Sequence, residues 1–335
     1  MQIKNSAKSL PQTPGTLGDG ALALVISNIR QLTSRIRAYE LRDPEGRDLP
    51  FITAGAHLQV PVLLENQQTE LRPYSICSNP ACRDSFEIAV LKENSDRGGS
   101  TAVHNIYELG MQLNCETPAN NFQLHADSSP AILIAGGIGI TAIKPMAQTL
   151  ALRGRRFQLH YAGRNLSEMA FSDELAGELG ERFFAYPAEQ NKRINIMQLL
   201  SDAPHNALFY LCGPQKLMAE VYNSATLLGI TKDRIQSEQF SVQQAAEDKA
   251  IVVELARSNK LIQVAADQPI LSALRDAGIP LNFDCCVGDC GTCAVKMIAG
   301  VAEHRDHTLN DQEHADGMIC ICVSRAKSDH IILDL

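Results

Sequence analysis

The run Asp284-Cys285-Cys286-Val287-Gly288-Asp289-Cys290-Gly291-Thr292-Cys293 decides how the C-terminal part of this chain is read. Three thiolates on one short loop can grip an iron–sulfur cluster only if the backbone curls tightly around it. Gly288 and Gly291 permit that approach, and the loop amides can then point at the cluster sulfurs. A fourth ligand must come from elsewhere in the fold. The later run Met318-Ile319-Cys320-Ile321-Cys322-Val323 offers a Cys beside an apolar strand.

Taking Cys285, Cys290 and Cys293 gives C-x4-C-x2-C, the spacing of plant-type 2Fe-2S ferredoxins. Choosing Cys285 rather than its neighbour Cys286 preserves the four-residue gap. Cys322 is the candidate fourth ligand, and Cys320 is the runner-up, because two residues along a strand keep it on the same face. Four cysteines also bind zinc tetrahedrally, but zinc ribbons present two C-x2-C knuckles and this chain has one.

The rest of the chain is long enough to support this unit with others. Its 335 residues, 45% hydrophobic, predict two or three domains. A formal charge of −8 disfavours nucleic acid and anionic membrane as partners, since both reward basic surfaces. Residues 250–335 carry 12 acidic against 7 basic side chains, a balance of −5, so an electron-donating module would present a negative face. Cys77, Cys82, Cys115 and Cys212 are scattered and fit free thiols in a reducing cytoplasm. Residues 1–20 show no apolar signal-peptide core and read as a flexible tail, and no window resembles a membrane span.

Between residues 21 and 127, short alternating or β-branched runs (ALALVIS, SRIRAYEL, HLQVPVLL, SFEIAVLK, MQLNCETP) predict a small antiparallel barrel. It contains Arg72-Pro73-Tyr74-Ser75: Tyr can stack on a flavin ring, Ser can hydrogen-bond near its N5, and Arg can pair with a phosphate. Arg97-Gly98-Gly99-Ser100-Thr101 then starts a helix whose N-terminal amides would cradle that phosphate.

After Ser128-Ser129-Pro130 the pattern changes to strands alternating with helices, which predicts a parallel sheet over residues 128–240. The strand AILIA runs into Gly136-Gly137-Ile138-Gly139-Ile140-Thr141-Ala142, where Gly137, Gly139 and Ala142 satisfy the dinucleotide spacing. The acidic residue expected about 20 positions later is missing, because the second strand ends in Arg164-Asn165. The last strand, ALFYL, ends in Cys212-Gly213-Pro214, which places Cys212 where open α/β sheets bind ligands. Residues 241–249 read as a linker, and residues 250–335 as a β-grasp of hairpin, helix and later strands. His304, His307 and His314 fall in a polar loop without a matching ligand set and are expected to be surface histidines.

In order, the motifs RPYS, RGGST, GGIGIT, CGP, EQF, the cysteine loop and CVSRAK resemble the phthalate dioxygenase reductase family. The resemblance covers residues 21–335. It implies a multidomain α+β protein: an antiparallel flavin-binding β-barrel, an α/β nucleotide-binding domain with a parallel sheet, and a C-terminal β-grasp 2Fe-2S ferredoxin domain. It further implies FMN rather than FAD, NADH as electron donor, and delivery to a separate Rieske-type oxygenase of the kind acting on aromatic acids, vanillate or carnitine.

Matched residue by residue, Arg72, Tyr74, Ser75, Gly98, Gly99 and Ser100 stand at the family's FMN site, with Ala89, Val90 and Leu91 on its flavin-facing strand. Leu91 stands where the family can carry Lys. Gly137, Gly139, Thr141 and Arg164 match the nicotinamide nucleotide site, with Cys212 and Gly213 at the reaction centre. Glu238 and Phe240 match the segment that closes over the flavin, and the resemblance selects Cys322 as fourth cluster ligand. Ser75, Cys212, Glu238 and Phe240 are then the expected catalytic residues. Another acceptor, such as a cytochrome or a diiron hydroxylase, is the alternative. The negative C-terminal region would suit docking on a basic oxygenase patch and make electron transfer salt-sensitive.

Overall fold

The computed structural model describes residues 21–64, 67, 69–93, 99–240, 248–306 and 308–335. The expected tail, Gly98, His307 and most of the expected linker lie outside these residues. The chain divides into a first unit ending at Glu238 and a second unit, Gln239–Leu335.

Six strands open the first unit: β1 (Leu22–Gln31), β2 (Ile36–Arg42), β3 (His57–Leu63), β4 (Thr69–Ser75), β5 (Phe86–Leu91) and β6 (Gln112–Cys115). They form the antiparallel sheets β5-β2-β1-β6 and β3-β4. A bridge from Ile76 to Ile88 joins β4 to β5, and the Glu116 amide donates to the Gln59 carbonyl at 3.2 Å, closing the barrel at β6 and β3. Alternation sends Leu24, Tyr39, Leu58, Ile88 and Val90 into the barrel core. On β2 and β5 the opposite face is also buried, because Ile36, Ala38 and Ala89 pack in a second cluster with the parallel sheet. The helix α1 (Gly99–Ile106) lies beside β3 and β5, and the His104 ring hydrogen-bonds the Val90 carbonyl at 2.9 Å.

The second half of this unit is a parallel sheet of β7 (Ala131–Gly136), β8 (Phe157–Gly163), β9 (Phe183–Pro187), β10 (Leu208–Cys212) and β11 (Ile235–Glu238), in the order β11-β10-β7-β8-β9. Every residue of β7 is buried, as a strand covered on both faces requires. The helices are α2 (Ile140–Leu152), α3 (Ser172–Leu179), α4 (Ile196–Asp202) and α5 (Gln215–Leu227). From β7 the chain goes to β8 on one side, while β10 lies on the other, so a crevice opens at the carboxyl ends of β7 and β10.

The second unit is a mixed sheet. The hairpin β12 (Ile251–Leu255) and β13 (Lys260–Val264) is followed by α6 (Ile270–Asp276), β14 (Ala294–Ala299), β15 (Ala302–Glu303), α7 (Asp311–Ala315), β16 (Met318–Cys320), β17 (Arg325–Ala326) and β18 (His330–Leu333). The sheet order is β13-β12-β18-β14-β16, with β12 and β18 parallel, and the apolar face of α6 packs onto it through Ile270, Leu271 and Leu274. The expected strand from Met318 to Val323 stops at Cys320, and residues 321–323 form a turn in which the Ser324 amide bonds back to the Cys320 carbonyl at 3.0 Å.

Arg325, only 4% exposed, donates from its guanidinium to the carbonyls of Gln268, Lys249 and Ala265, the last two at 2.6 and 3.2 Å. Asp248 pairs with Arg305 at 2.9 Å, so both described residues at the end of the expected linker are tied to this unit. Arg325→Met keeps an apolar stem but strands the Gln268 and Lys249 carbonyls, while the Ala265 carbonyl keeps the Gln268 amide at 3.1 Å. It is expected to lower the stability of this unit by about 2–3 kcal/mol, since a buried unsatisfied acceptor costs roughly 1–3 kcal/mol. Urea unfolding of the holo-protein followed by visible circular dichroism checks this, and an unshifted midpoint would deny Arg325 the role.

Candidate flavin, nucleotide and cluster sites

The Arg72 side chain crosses directly over Gly99 at the start of α1: a β-carbon placed on Gly99 would sit 3.4 Å from Arg72 Nε. Glu70 holds the guanidinium at 2.6 Å. This pairs a cation with the amide-rich end of a helix, an arrangement that fits a phosphate. Ser100 Oγ accepts the Glu93 amide at 3.0 Å and Thr101 Oγ1 donates to the Glu93 carbonyl at 3.2 Å, so these hydroxyls also fasten the turn to β5. Tyr74 packs at the edge of the barrel core. Ala89 and Leu91 face the cluster shared with the parallel sheet, whereas Val90 points into the barrel, so only its backbone lies on the expected flavin side.

Ser75 ends β4 and is buried, and its Oγ donates to Glu238 Oε2 at 3.3 Å. Glu238 in turn is the register partner of Cys212, across β11 and β10. The structure therefore brings together three of the four expected catalytic residues, from parts of the chain more than 130 residues apart. The fourth, Phe240, is 42% exposed and falls just past the unit boundary.

At the crevice the two loops meet backbone to backbone. A β-carbon on Gly139 would lie 2.2 Å from the Cys212 carbonyl oxygen, and one on Gly213 would lie 3.0 Å from Gly136 Cα. Gly137 has φ of +54° and begins a 3-10 turn that leads into α2. Thr141, 2% exposed, donates its hydroxyl to the Ile138 carbonyl at 2.9 Å and so braces the loop from within.

Arg164 and Asn165 follow β8. Arg164 is exposed, and Asn165 Oδ1 caps the next turn by accepting the Glu168 amide at 2.9 Å. An acid from the turn after β9 lies beside them: Glu189 Oε1 accepts the Leu166 amide at 2.9 Å, and its own amide bonds the Arg164 carbonyl at 2.9 Å. This acid lies far from β8 in sequence, in the turn Ala188–Gln190 that follows the neighbouring strand.

In the second unit, sulfur atoms gather in one patch. Cys293 is hydrogen-bonded by both Cys320 and Cys322, which pushes its thiol down to about 3. The hydrogen bond from Cys285 likewise brings Cys290 down to about 6. The donors Cys285, Cys320 and Cys322 move up, through those same bonds and then burial. Sulfurs within hydrogen-bonding reach of one another are grouped as closely as a single cluster requires of its ligands. The Val287 amide points at Cys285 Sγ from 3.5 Å.

The loop's tightness is visible in its backbone, since Cys286 has φ of +55° and Gly288 +85°. A β-carbon on Gly288 would meet Val323 at 2.8 Å and Asp306 Cα at 3.1 Å. Burial pushes the Asp289 carboxyl up to about 6, although the Gln239 amide donates to it at 2.9 Å. Both Cys320 and Cys322 reach Cys293, so the strand argument for Cys320 fails while its proximity stands.

Comparison with known proteins agrees with this geometry. Residues 253–327 match the 2Fe-2S iron-sulfur cluster binding domain family. The chain is 37% identical to the heme-dependent oxidative N-demethylase beta subunit of Ectopseudomonas mendocina, over 92% of this chain and 97% of that protein. It is 34% identical to the vanillate O-demethylase oxidoreductase of Acinetobacter baylyi, over 93% and 98% respectively. The solved structure of phthalate dioxygenase reductase superposes with a TM-score of 0.78 at 34% identity, covering 95% of this chain and 98% of that one.

A barrel and nucleotide sheet joined in one chain to a four-thiol β-grasp unit define an iron–sulfur oxidoreductase of the flavin- and nicotinamide-dependent class. The chain belongs to the phthalate dioxygenase reductase family, whose members are oxidoreductase components of oxygenase systems.

Gly139→Ala is expected to force its methyl group into the Cys212 carbonyl and push the two loops apart. NADH-dependent ferricyanide reduction should fall by at least about tenfold in kcat/KM, the rate equivalent of roughly 1.4 kcal/mol, with iron content unchanged. Wild-type kinetics would mean that the crevice does not need this approach.

Proposed function

We propose that this chain takes hydride from NADH onto FMN and sends the electrons through its 2Fe-2S cluster to a separate Rieske-type oxygenase. The observation that carries the reading is the convergence of Ser75, Glu238 and Cys212 at the nucleotide crevice, in a chain that also gathers the cluster thiols. Bound flavin accepts an electron pair from nicotinamide and releases single electrons, which is what a one-electron cluster requires.

The residues supply position. Arg72 and the first amides of α1 would hold the FMN phosphate, with Glu70 fixing the guanidinium. Tyr74 would lie against the ring, and Ser75, held by Glu238, would present a hydroxyl near its reactive nitrogen. The Gly137–Gly139 turn would take the NADH pyrophosphate, and Cys212 with Gly213 would seat the nicotinamide. Cys285, Cys290, Cys293 and Cys322 would hold the cluster.

Glu189 supports NADH over NADPH, because its carboxylate stands beside Arg164 and Asn165, where the adenosine ribose of a dinucleotide would end. Glu189→Gln should raise kcat/KM for NADPH by about threefold with little effect on NADH, the size expected where exposed charges interact by under about 1 kcal/mol. An equal change for both coenzymes would remove the residue from coenzyme choice.

The primary test is spectroscopic. Purified holo-protein should show flavin and iron–sulfur absorbance, bleach with anaerobic NADH and release FMN in acid. Cys322→Ser should lose the cluster while keeping flavin and NADH–ferricyanide activity, whereas Cys320→Ser should keep both. The reverse result would exchange the two cysteines' roles, and a colourless zinc protein would end the reading.

A heme-containing oxygenase is the second reading for the partner, favoured by the 37% identity to the heme-dependent oxidative N-demethylase beta subunit. Stopped-flow mixing of the NADH-reduced protein with purified Rieske and heme oxygenase components separates the two. The true partner should be reduced at a second-order rate that falls as salt rises, given the −5 balance of residues 250–335. The chain is read as cytoplasmic from its scattered free thiols, and no helix among the described residues is long and apolar enough to cross a membrane.

A further inference from the structure

His304 and His314, expected to be plain surface histidines, converge with Asp306 beside the cysteine loop. One ligand atom from each lies within 4.8 Å of the others. His314 Nε2 stands 3.2 Å from Asp306 Oδ2, and His304 Nδ1 stands 3.9 Å from Asp306 Oδ1. The two imidazoles stack with centroids 3.8 Å apart and 23° between their planes, so one ring has to turn for both in-plane lone pairs to meet on a shared ion. We propose that these three side chains form a binding site for a divalent transition-metal ion of the zinc type.

The spacing suits such an ion, since ligands bound tetrahedrally at about 2.0–2.2 Å lie roughly 3.3 Å apart, within easy reach of these positions. Two imidazole nitrogens and one carboxylate oxygen match zinc-type chemistry rather than the all-oxygen shells of calcium or magnesium, and three protein ligands leave a position for water. The carboxylate is built in place. The Asp306 side chain is fully buried, and it accepts the Ser324 hydroxyl at 3.2 Å and the Leu309 amide at 3.1 Å. Such outer contacts orient a ligand before the ion arrives. His314 is carried on α7, whose start is fixed by the reciprocal cap of Asn310 and Glu313.

An ordinary Asp–His hydrogen bond explains His314 but leaves His304 unexplained. Its Nδ1 is buried and has no hydrogen-bond partner among the described residues. A buried nitrogen in that condition is costly, and an ion between it and Asp306 would satisfy it. The site is distinct from the cysteine patch, although the Asp306 backbone packs against Gly288 of that loop.

The test is zinc titration of chelator-treated holo-protein by calorimetry, with zinc and iron counted by mass spectrometry after desalting. Wild type should retain stoichiometric zinc with its iron unchanged. His304→Ala and, as a milder change, His314→Gln should each weaken zinc binding by at least about tenfold while leaving iron content and the visible spectrum intact. The proposal fails if both variants bind zinc as wild type does, if wild type retains none, or if zinc enters only as iron is lost, which would place it on the cysteines.

Discussion

The contact on which the first unit depends is the approach of the Gly139 backbone to the Cys212 carbonyl, too close for any β-carbon between them. It joins the loops that leave β7 and β10, the two strands flanking the switch point of the sheet. Because these loops touch, the crevice has a defined floor, and Cys212 is held beside Glu238 in the next strand. Glu238 then reaches Ser75 on the barrel, which ties the barrel and the parallel sheet into one arrangement. Chemistry that transfers hydride between two bound rings needs fixed positions more than reactive side chains, and backbone packing of this kind is rigid.

The second unit solves a different problem. Its ligands must be held as thiolates close together, and the loop accepts positive φ at Cys286 and Gly288 to do so. Glycine at position 288 lets Val323 and the Asp306 backbone pack closely on the loop, and Arg325 anchors the neighbouring turn to three carbonyls. The CVSRAK motif thus combines a sulfur that reaches Cys293 with the guanidinium that supports its surroundings.

Much of this was legible from local pattern. The barrel strands alternate, β7 is a continuous apolar run before a glycine-rich turn, and C-x4-C-x2-C fixes both loop and cluster type through spacing alone. Other features were hidden because they arise between segments. Glu189 reaches the end of β8 from the turn after β9, Val90 turns inward while its neighbours turn outward, and Thr141 spends its hydroxyl inside its own loop. The expected strand through Cys322 ends early because the Ser324 amide turns back to the Cys320 carbonyl, a bond no residue pattern announces.

The order of the glycine-rich, strand and cysteine motifs, and the kinds of element that carry them, can be read along the chain, since glycine, cysteine spacing and hydrophobic period act over a few residues. Which distant side chains meet is visible only in the folded chain: Ser75 with Glu238, Arg72 over Gly99, and His304 with Asp306 and His314. The physical reason is that such meetings depend on strand order and loop packing, which are set by burial of whole faces rather than by any local run of residues.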